Sequence, residues 1–379
     1  MALTELGTGS YSYQSQSLQG GLYDNGINFP PQSTVDRGLQ LATELAEQDR
    51  VVLVSLGMSN TGQEYTSFMS AASSSSEVHD RVLLVNGAQG GQTAQNWDTS
   101  NAATWDELDQ RVAQATGLSN VLAQQEVNVI WIKLSINKIS SYDDPLAKFR
   151  QSLEDVIRVA SSRYPNLKQV FLSSRTHAFT SDVENISLLN PEPFAYTSAF
   201  AVKDLIQASI NGQFSSEGFP LLVWGPYIWA EGSRNDNTLM NGFTWTINDV
   251  EGDCTHPGPT GEEKVGQALL KFFLNDPLAA PWFRADGAAG TPYPENASEP
   301  PTIDPDNDAG TNDGSSPQQS GTAANTDSGG CALSNSPTNS ASPSLALGIV
   351  LLLWFYRRKS RTIAWCTHAP ENDQEDIQC

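Results

Sequence analysis

Five short runs of apolar, often β-branched residues, alternating with longer segments of helical periodicity, constrain this chain more than any other feature. The runs are Val51–Leu56, Arg81–Val85, Val127–Leu134, Gln169–Ser173 and Pro220–Trp224. Their apolar character is continuous rather than alternating, which marks strands covered on both faces, as in a parallel sheet. The segments around them predict helices over Val35–Gln48, from near Thr61, and over Trp105–Gln125, Pro145–Ser162, Ala195–Ile210 and Thr260–Leu274. Pro145 suits a first helical turn, where its missing N–H costs nothing. Strand–helix alternation implies right-handed crossovers and a sheet sandwiched between two helical layers. Ligands of such sheets bind outside the carboxyl ends of the strands. Ser59, Gly90, Gly91, Asn137 and Arg175 each fall just after a predicted strand, so the topology gathers them at one edge.

Length and charge bound the rest. At 379 residues the chain holds one large domain or two small ones. A formal net charge of −22 and a pI near 4.4 argue against nucleic acid and anionic lipid surfaces as partners. The cysteines are Cys254, Cys331, Cys366 and Cys379. Only Cys254 lies in the globular stretch, which excludes an internal disulfide there. No pair has metal-site spacing, so neither a metal nor an organic cofactor is expected.

The domain reading divides the chain at composition changes. Residues 1–34, rich in Gly, Ser, Gln and aromatics, read as an irregular or short-strand lead-in, and 35–284 as the α/β domain. Residues 285–340 carry no Lys or Arg and are dominated by small, polar and Pro residues, as expected of a disordered acidic tether. The apolar run Leu345–Tyr356 and the cluster Arg357-Arg358-Lys359-Ser360-Arg361 follow. As a helix that run spans roughly 18 Å against a hydrocarbon core of about 30 Å, so 341–361 reads as a short anchor. Its basic end would be cytoplasmic and residues 1–340 outside, leaving 362–379 as a tail. The start at Met1 has no basic region leading into an apolar run, so no signal peptide is visible there. Gly329-Gly330-Cys331, a small spacer, an apolar helix and an Arg cluster together resemble a bacterial C-terminal sorting signal of the Myxococcus type. The resemblance implies sorting to the cell surface with processing of the segment. The chain continues to Cys379, beyond the usual end of such signals.

The chemistry rests on Asp253-Cys254-Thr255-His256-Pro257 and on Ser59 in Leu56-Gly57-Met58-Ser59-Asn60. A serine hydroxyl needs a neutral imidazole to take its proton, and the imidazole needs a carboxylate to fix its tautomer. An Asp and a His three residues apart supply that pair on one loop.

Taken in order with Gly91 and Asn137, these blocks resemble the SGNH (GDSL-type) hydrolases, a superfamily of esterases, lipases and carbohydrate deacetylases. The likeness covers about residues 50–275 and implies a flavodoxin-like three-layer α/β/α sandwich with a five-stranded parallel sheet. Gly57-Met58-Ser59 matches the nucleophile turn, with Met58 in place of its Asp. Gly91-Gln92-Thr93 matches the Gly-Asp-Thr block, and Leu134-Ser135-Ile136-Asn137 stands where the family has Leu-Gly-Gly-Asn. The resemblance implies Ser59, Asp253 and His256 as catalytic residues. It likewise implies Ser59, Gly91 and Asn137 as oxyanion donors.

Asn60, Gly90 and Arg175 are candidates for substrate contact, and a small-molecule or carbohydrate ester is the expected substrate. The altered blocks keep a second reading open: a surface-anchored binding protein with a degenerate site. Ordinary readings also stand beside each residue. Ser59 could cap a helix, Gly91 could be a turn residue, Asn137 a loop cap and Arg175 a solvated loop side chain. His79 and His177 read as surface or structural residues. Cys254 reads as a packing residue or an oxidation site. Trp224, Tyr227, Trp229 and Trp245 read as sugar-stacking or core residues.

Overall fold

The computed structural model describes residues 2–13, 16–136, 141–176, 194–215, 218–229, 232–233, 244–245, 247–253 and 255–294. The expected tether beyond 294, the anchor at 341–361 and the tail lie outside the described residues, as do Asn137, His177 and Cys254. No helix among the described residues is long and apolar enough to cross a membrane.

Five strands form one parallel sheet: β3 (Val51–Gly57), β4 (Val82–Asn86), β5 (Val127–Lys133), β6 (Gln169–Leu172) and β7 (Leu221–Trp224). They lie in the order β4-β3-β5-β6-β7. This is the 2-1-3-4-5 order of flavodoxin-like folds, whose topological switch point lies between the first and third strands. The chain leaves β3 for β4 in one direction and returns past β3 to β5. Crossovers of one hand therefore put the helix that follows β3 on the opposite face from those that follow β4, β5 and β6.

The two cores follow that division. Val52, Val54, Leu56, Ile130, Ile132, Val170 and Leu172 pack beneath α4 (Ala103–Thr116), α5 (Asn120–Glu126), α6 (Pro145–Arg163) and α7 (Phe194–Ile210). Val51, Leu53, Val129, Trp131, Phe171 and Val223 face α2 (Gln32–Ala46), α3 (Ser59–Ser73), α8 (Pro259–Asn275) and α9 (Ala280–Phe283). The expected three-layer α/β/α sandwich is the observed architecture.

Three expectations change. The helix predicted over Trp105–Gln125 is two, because Gly117 closes α4 in the left-handed conformation (φ 72°) and α5 restarts after Ser119. The lead-in is built into the domain. It forms α1 (Leu3–Leu6) and the antiparallel pair β1 (Ser10–Tyr13) and β2 (Gln16–Gln19), and it buries Ala2, Leu3, Leu22 and Tyr23 in the first core. Trp224 Nε1–H donates to Leu22 O at 2.7 Å, and Lys203 Nζ donates to Gln19 O and Gly20 O. The lead-in thus carries the short strands expected of it and is packed into the core rather than preceding it. Finally, the packed chain continues past Arg284. Ala285 N–H donates to Glu77 O, Thr291 N–H to Asn275 O, and Tyr293 Oη–H to Asp276 Oδ2 at 2.8 Å.

Candidate active site

Ser59 is the first residue of α3, two residues past the end of β3 and therefore at the switch point. Met58 is the extended residue before the helix and packs against the first core. From this position the Ser59 amide is one of the helix N–H groups that have no intrahelical acceptor.

His256 arrives from a loop fixed at both ends. Glu251 N–H donates to His256 O (2.8 Å), Val250 bridges Pro257, and Gly258 N–H donates to Asp249 O (2.9 Å). The loop then enters α8, whose second turn is held by Lys264 Nζ to Asp249 at 2.8 Å. Asp253 organises the interior of the loop. Its Oδ1 accepts from the N–H groups of Thr255 and His256, each at 2.9 Å, and its Oδ2 lies 2.6 Å from His256 Nδ1. Burial pushes the Asp253 carboxyl up. The bonds from the His256 amide and ring and from the Thr255 amide outweigh it and hold the carboxyl below its ordinary range. An ionised Asp253 accepts a hydrogen bond from Nδ1–H, which keeps the ring proton on Nδ1 and leaves Nε2 as an acceptor. His256 Nε2 is 2.8 Å from Ser59 Oγ. Ser59, His256 and Asp253, spread over 198 residues of chain, thus form one continuous hydrogen-bonded line.

Gly90 and Gly91 come to the same place. An ideal Cβ on Gly90 would sit 4.0 Å from Ser59 Cβ. The turn Gln89–Gln92 is closed by Gln92 N–H to Gln89 O and hung on the serine's own strand by Gln89 N–H to Gly57 O (2.9 Å). Gly91 occupies its third position with φ 74°, where a type II turn requires glycine. Both glycines are exposed, and Gly90 is the one beside Ser59.

The other two candidates for substrate contact, Asn60 and Arg175, have buried side chains. Asn60 is buried and donates from Nδ2 to Thr255 O at 2.6 Å, tying the start of α3 to the Asp253–His256 loop. Arg175 is also buried, neither solvated nor on the surface, with its amide donating to Ser198 Oγ. Trp224, Tyr227 and Trp229 are core residues at 1–4 % exposure, not an open stacking surface. The side chain of Trp245 lies outside the described residues. His79 is half-buried and lies against Arg81.

A buried charge cluster behind the serine had only a faint sequence signal, a lysine closing the apolar run Val127–Ile132. Lys133 Nζ donates to both carboxylate oxygens of Glu64 and to Thr176 Oγ1, each at 2.7 Å. Burial lowers the Lys133 pKa, Glu64 raises it, and Arg175 pushes it down again. Burial likewise lowers Arg175, and Glu64 opposes that shift. Thr61 Oγ1 donates to Lys133 O, so the first turn of α3 is pinned to the end of β5. Among the described residues no group of three His, Cys, Asp or Glu side chains is arranged to hold a metal ion.

No family model matches this sequence, and no curated protein sequence does. Solved structures that resemble it include a Bacillus subtilis protein, at 16% identity over 60% of this chain and a TM-score of 0.30. This chain spans only 56% of that protein. A carbohydrate esterase of family 3 from Talaromyces cellulolyticus matches at 13% identity over 58% of this chain and 94% of its own, with a TM-score of 0.30. A protein assigned as a GDSL-like lipase from Parabacteroides merdae matches at 9% identity over 59% and 95%, with a TM-score of 0.29. At TM-scores of this size the site is read from its own geometry.

Proposed function

We propose that this protein is a serine esterase or deacylase of the SGNH type that works through an acyl-enzyme. The observation that carries the reading is the line Ser59 Oγ–His256 Nε2–Asp253, at 2.8 and 2.6 Å, at the switch point of a parallel sheet. Ser59 Oγ attacks the ester carbonyl as its proton passes to His256 Nε2. The tetrahedral adduct collapses by breaking the bond to the leaving alkoxide, which takes that proton from His256. Water, deprotonated by His256, then cleaves the acyl-serine. Asp253 keeps the imidazole in the required tautomer and stabilises it when charged.

The oxyanion faces the amide of Ser59 at the positive end of α3 and the Gly90–Gly91 turn. The Asn137 side chain, implied by the family resemblance, is the third donor in this reading. The substrate is a small-molecule or carbohydrate ester outside the cytoplasm, and residues 341–361 are the membrane anchor.

The test is hydrolysis of p-nitrophenyl acetate and butyrate by the full chain, beside Ser59→Ala and His256→Ala. Each substitution is expected to lower kcat by a factor on the order of 10⁴ or more, and a fluorophosphonate is expected to label Ser59. Absent turnover together with absent labelling would replace this reading with a tethered binding domain.

A further inference from the structure

A cavity of about 380 Å³ lies at the far end of α8 from His256. His256 precedes the first turn of that helix and Asp276 follows its last, so its 17 residues separate the two sites by about 25 Å. Phe29, Tyr293 and Asp276 line the cavity, over the buried rings of Tyr23, Trp224 and Phe272. The volume, and walls that combine rings and prolines with Asn28, Asn275, Asp276 and Thr291, are those of a small-molecule site.

The carboxylate gives the cavity its character. Asp276 Oδ2 accepts from Tyr293 Oη–H (2.8 Å) and Oδ1 from Leu278 N–H (2.9 Å), and among the described residues no cation pairs with it. Lys271 also lines the cavity but lies on its exposed side. Tyr23 and Tyr293 are both pushed up by burial and by Asp276, so they stay neutral. A half-buried carboxylate without a counter-charge is held at a cost, and a cation entering the cavity relieves it. The partly exposed rings of Phe29 and Tyr293, 5.5 Å apart beside that anion, favour a cation that carries alkyl groups over a hydrated metal ion.

We infer that the cavity is a binding site for a small alkylammonium head, with Asp276 as counter-ion and the aromatic rings as walls. The inference does not depend on the esterase reading, and its test does not involve ester hydrolysis. Burial raises the Asp276 pKa to about 6 against the two hydrogen bonds that lower it. The anion, and with it binding, is therefore present at pH 8 and largely lost at pH 5.

Calorimetry on the full chain with tetramethylammonium chloride and with choline chloride, against sodium chloride, reads the site directly. Vesicles of phosphatidylcholine form a separate arm, which distinguishes a free ammonium compound from a lipid headgroup. The expected result is saturable binding of the organic cations, about tenfold weaker at pH 5 than at pH 8. It should be abolished in Asp276→Asn and weakened in Phe29→Ala. Binding to vesicles alone, lost in Asp276→Asn, assigns the lipid headgroup as the source. Phe29→Ala serves as the deciding variant if Asp276→Asn does not fold. Absence of saturable binding in every arm, or binding unchanged by these substitutions, overturns the inference.

Discussion

The buried pair Glu64–Lys133 offers a sharp test of how the nucleophile is held. Both side chains are at most 2 % exposed, and Arg175 faces the same carboxylate. Removing one member of a buried pair typically costs about 3–5 kcal/mol, because the other charge stays desolvated. The two single substitutions are not equivalent. Lys133→Met leaves Glu64 opposite Arg175, so its cost should sit near the lower figure. Glu64→Gln leaves Lys133 and Arg175 without the anion both of them face, and its cost should approach the upper one. In Glu64→Gln/Lys133→Met no carboxylate or ammonium of the pair remains, and the loss should fall short of the sum by about 2 kcal/mol or more. Equilibrium urea unfolding followed by tryptophan fluorescence reads these values. With a slope of roughly 3 kcal/mol per molar, the midpoint should drop by about 1 M for Lys133→Met and about 1.7 M for Glu64→Gln. Single variants that each lose less than about 1 kcal/mol, and that add, would refute the reasoning.

Two further outcomes are expected. Asn60→Ala removes the bond to Thr255 O and should lower kcat of the proposed esterase by roughly tenfold while moving the thermal midpoint only a few degrees; equal loss of kcat and fold would show that Asn60 only supports packing. Asp276 is raised from 3.8 to about 6, so the fold prefers its neutral form. That contribution is fully present below pH 3.8 and is lost as pH rises through about 6, at a cost on the order of 3 kcal/mol. Asp276→Asn should therefore be more stable than the parent at pH 8 and no more stable at pH 4, as read by urea midpoints at the two values.

Much of the architecture is legible in the chain because each strand is covered on both faces. That requirement writes itself as a continuous apolar run, and Val51–Leu56 shows it directly. The Asp253–His256 pair is legible for a related reason: its partners are three residues apart, so loop geometry alone brings them together. Gly117 was readable as a helix stop but is outweighed by the apolar periodicity on either side of it. The roles of Asn60 and Arg175 depend on what lies opposite them in space, Thr255 O in one case and Ser198 Oγ in the other. Neither partner is near in sequence. The short strands of the lead-in are as expected, but its packing is not legible, since Leu3 and Tyr23 find their apolar neighbours in strands and helices far along the chain.

Gly266 sits on α8 where that helix touches α3. A methyl group there would lie 2.6 Å from Ser67 Oγ and 2.8 Å from Phe68 N. Ser59 opens one of these helices, and His256 stands just ahead of the other. The separation of hydroxyl and imidazole is consequently gauged about two turns away, by a spacer of zero thickness between two rods. Loops at the rim can change in sequence and length without losing that gauge, whereas one added carbon at its far end would lever the reacting atoms apart.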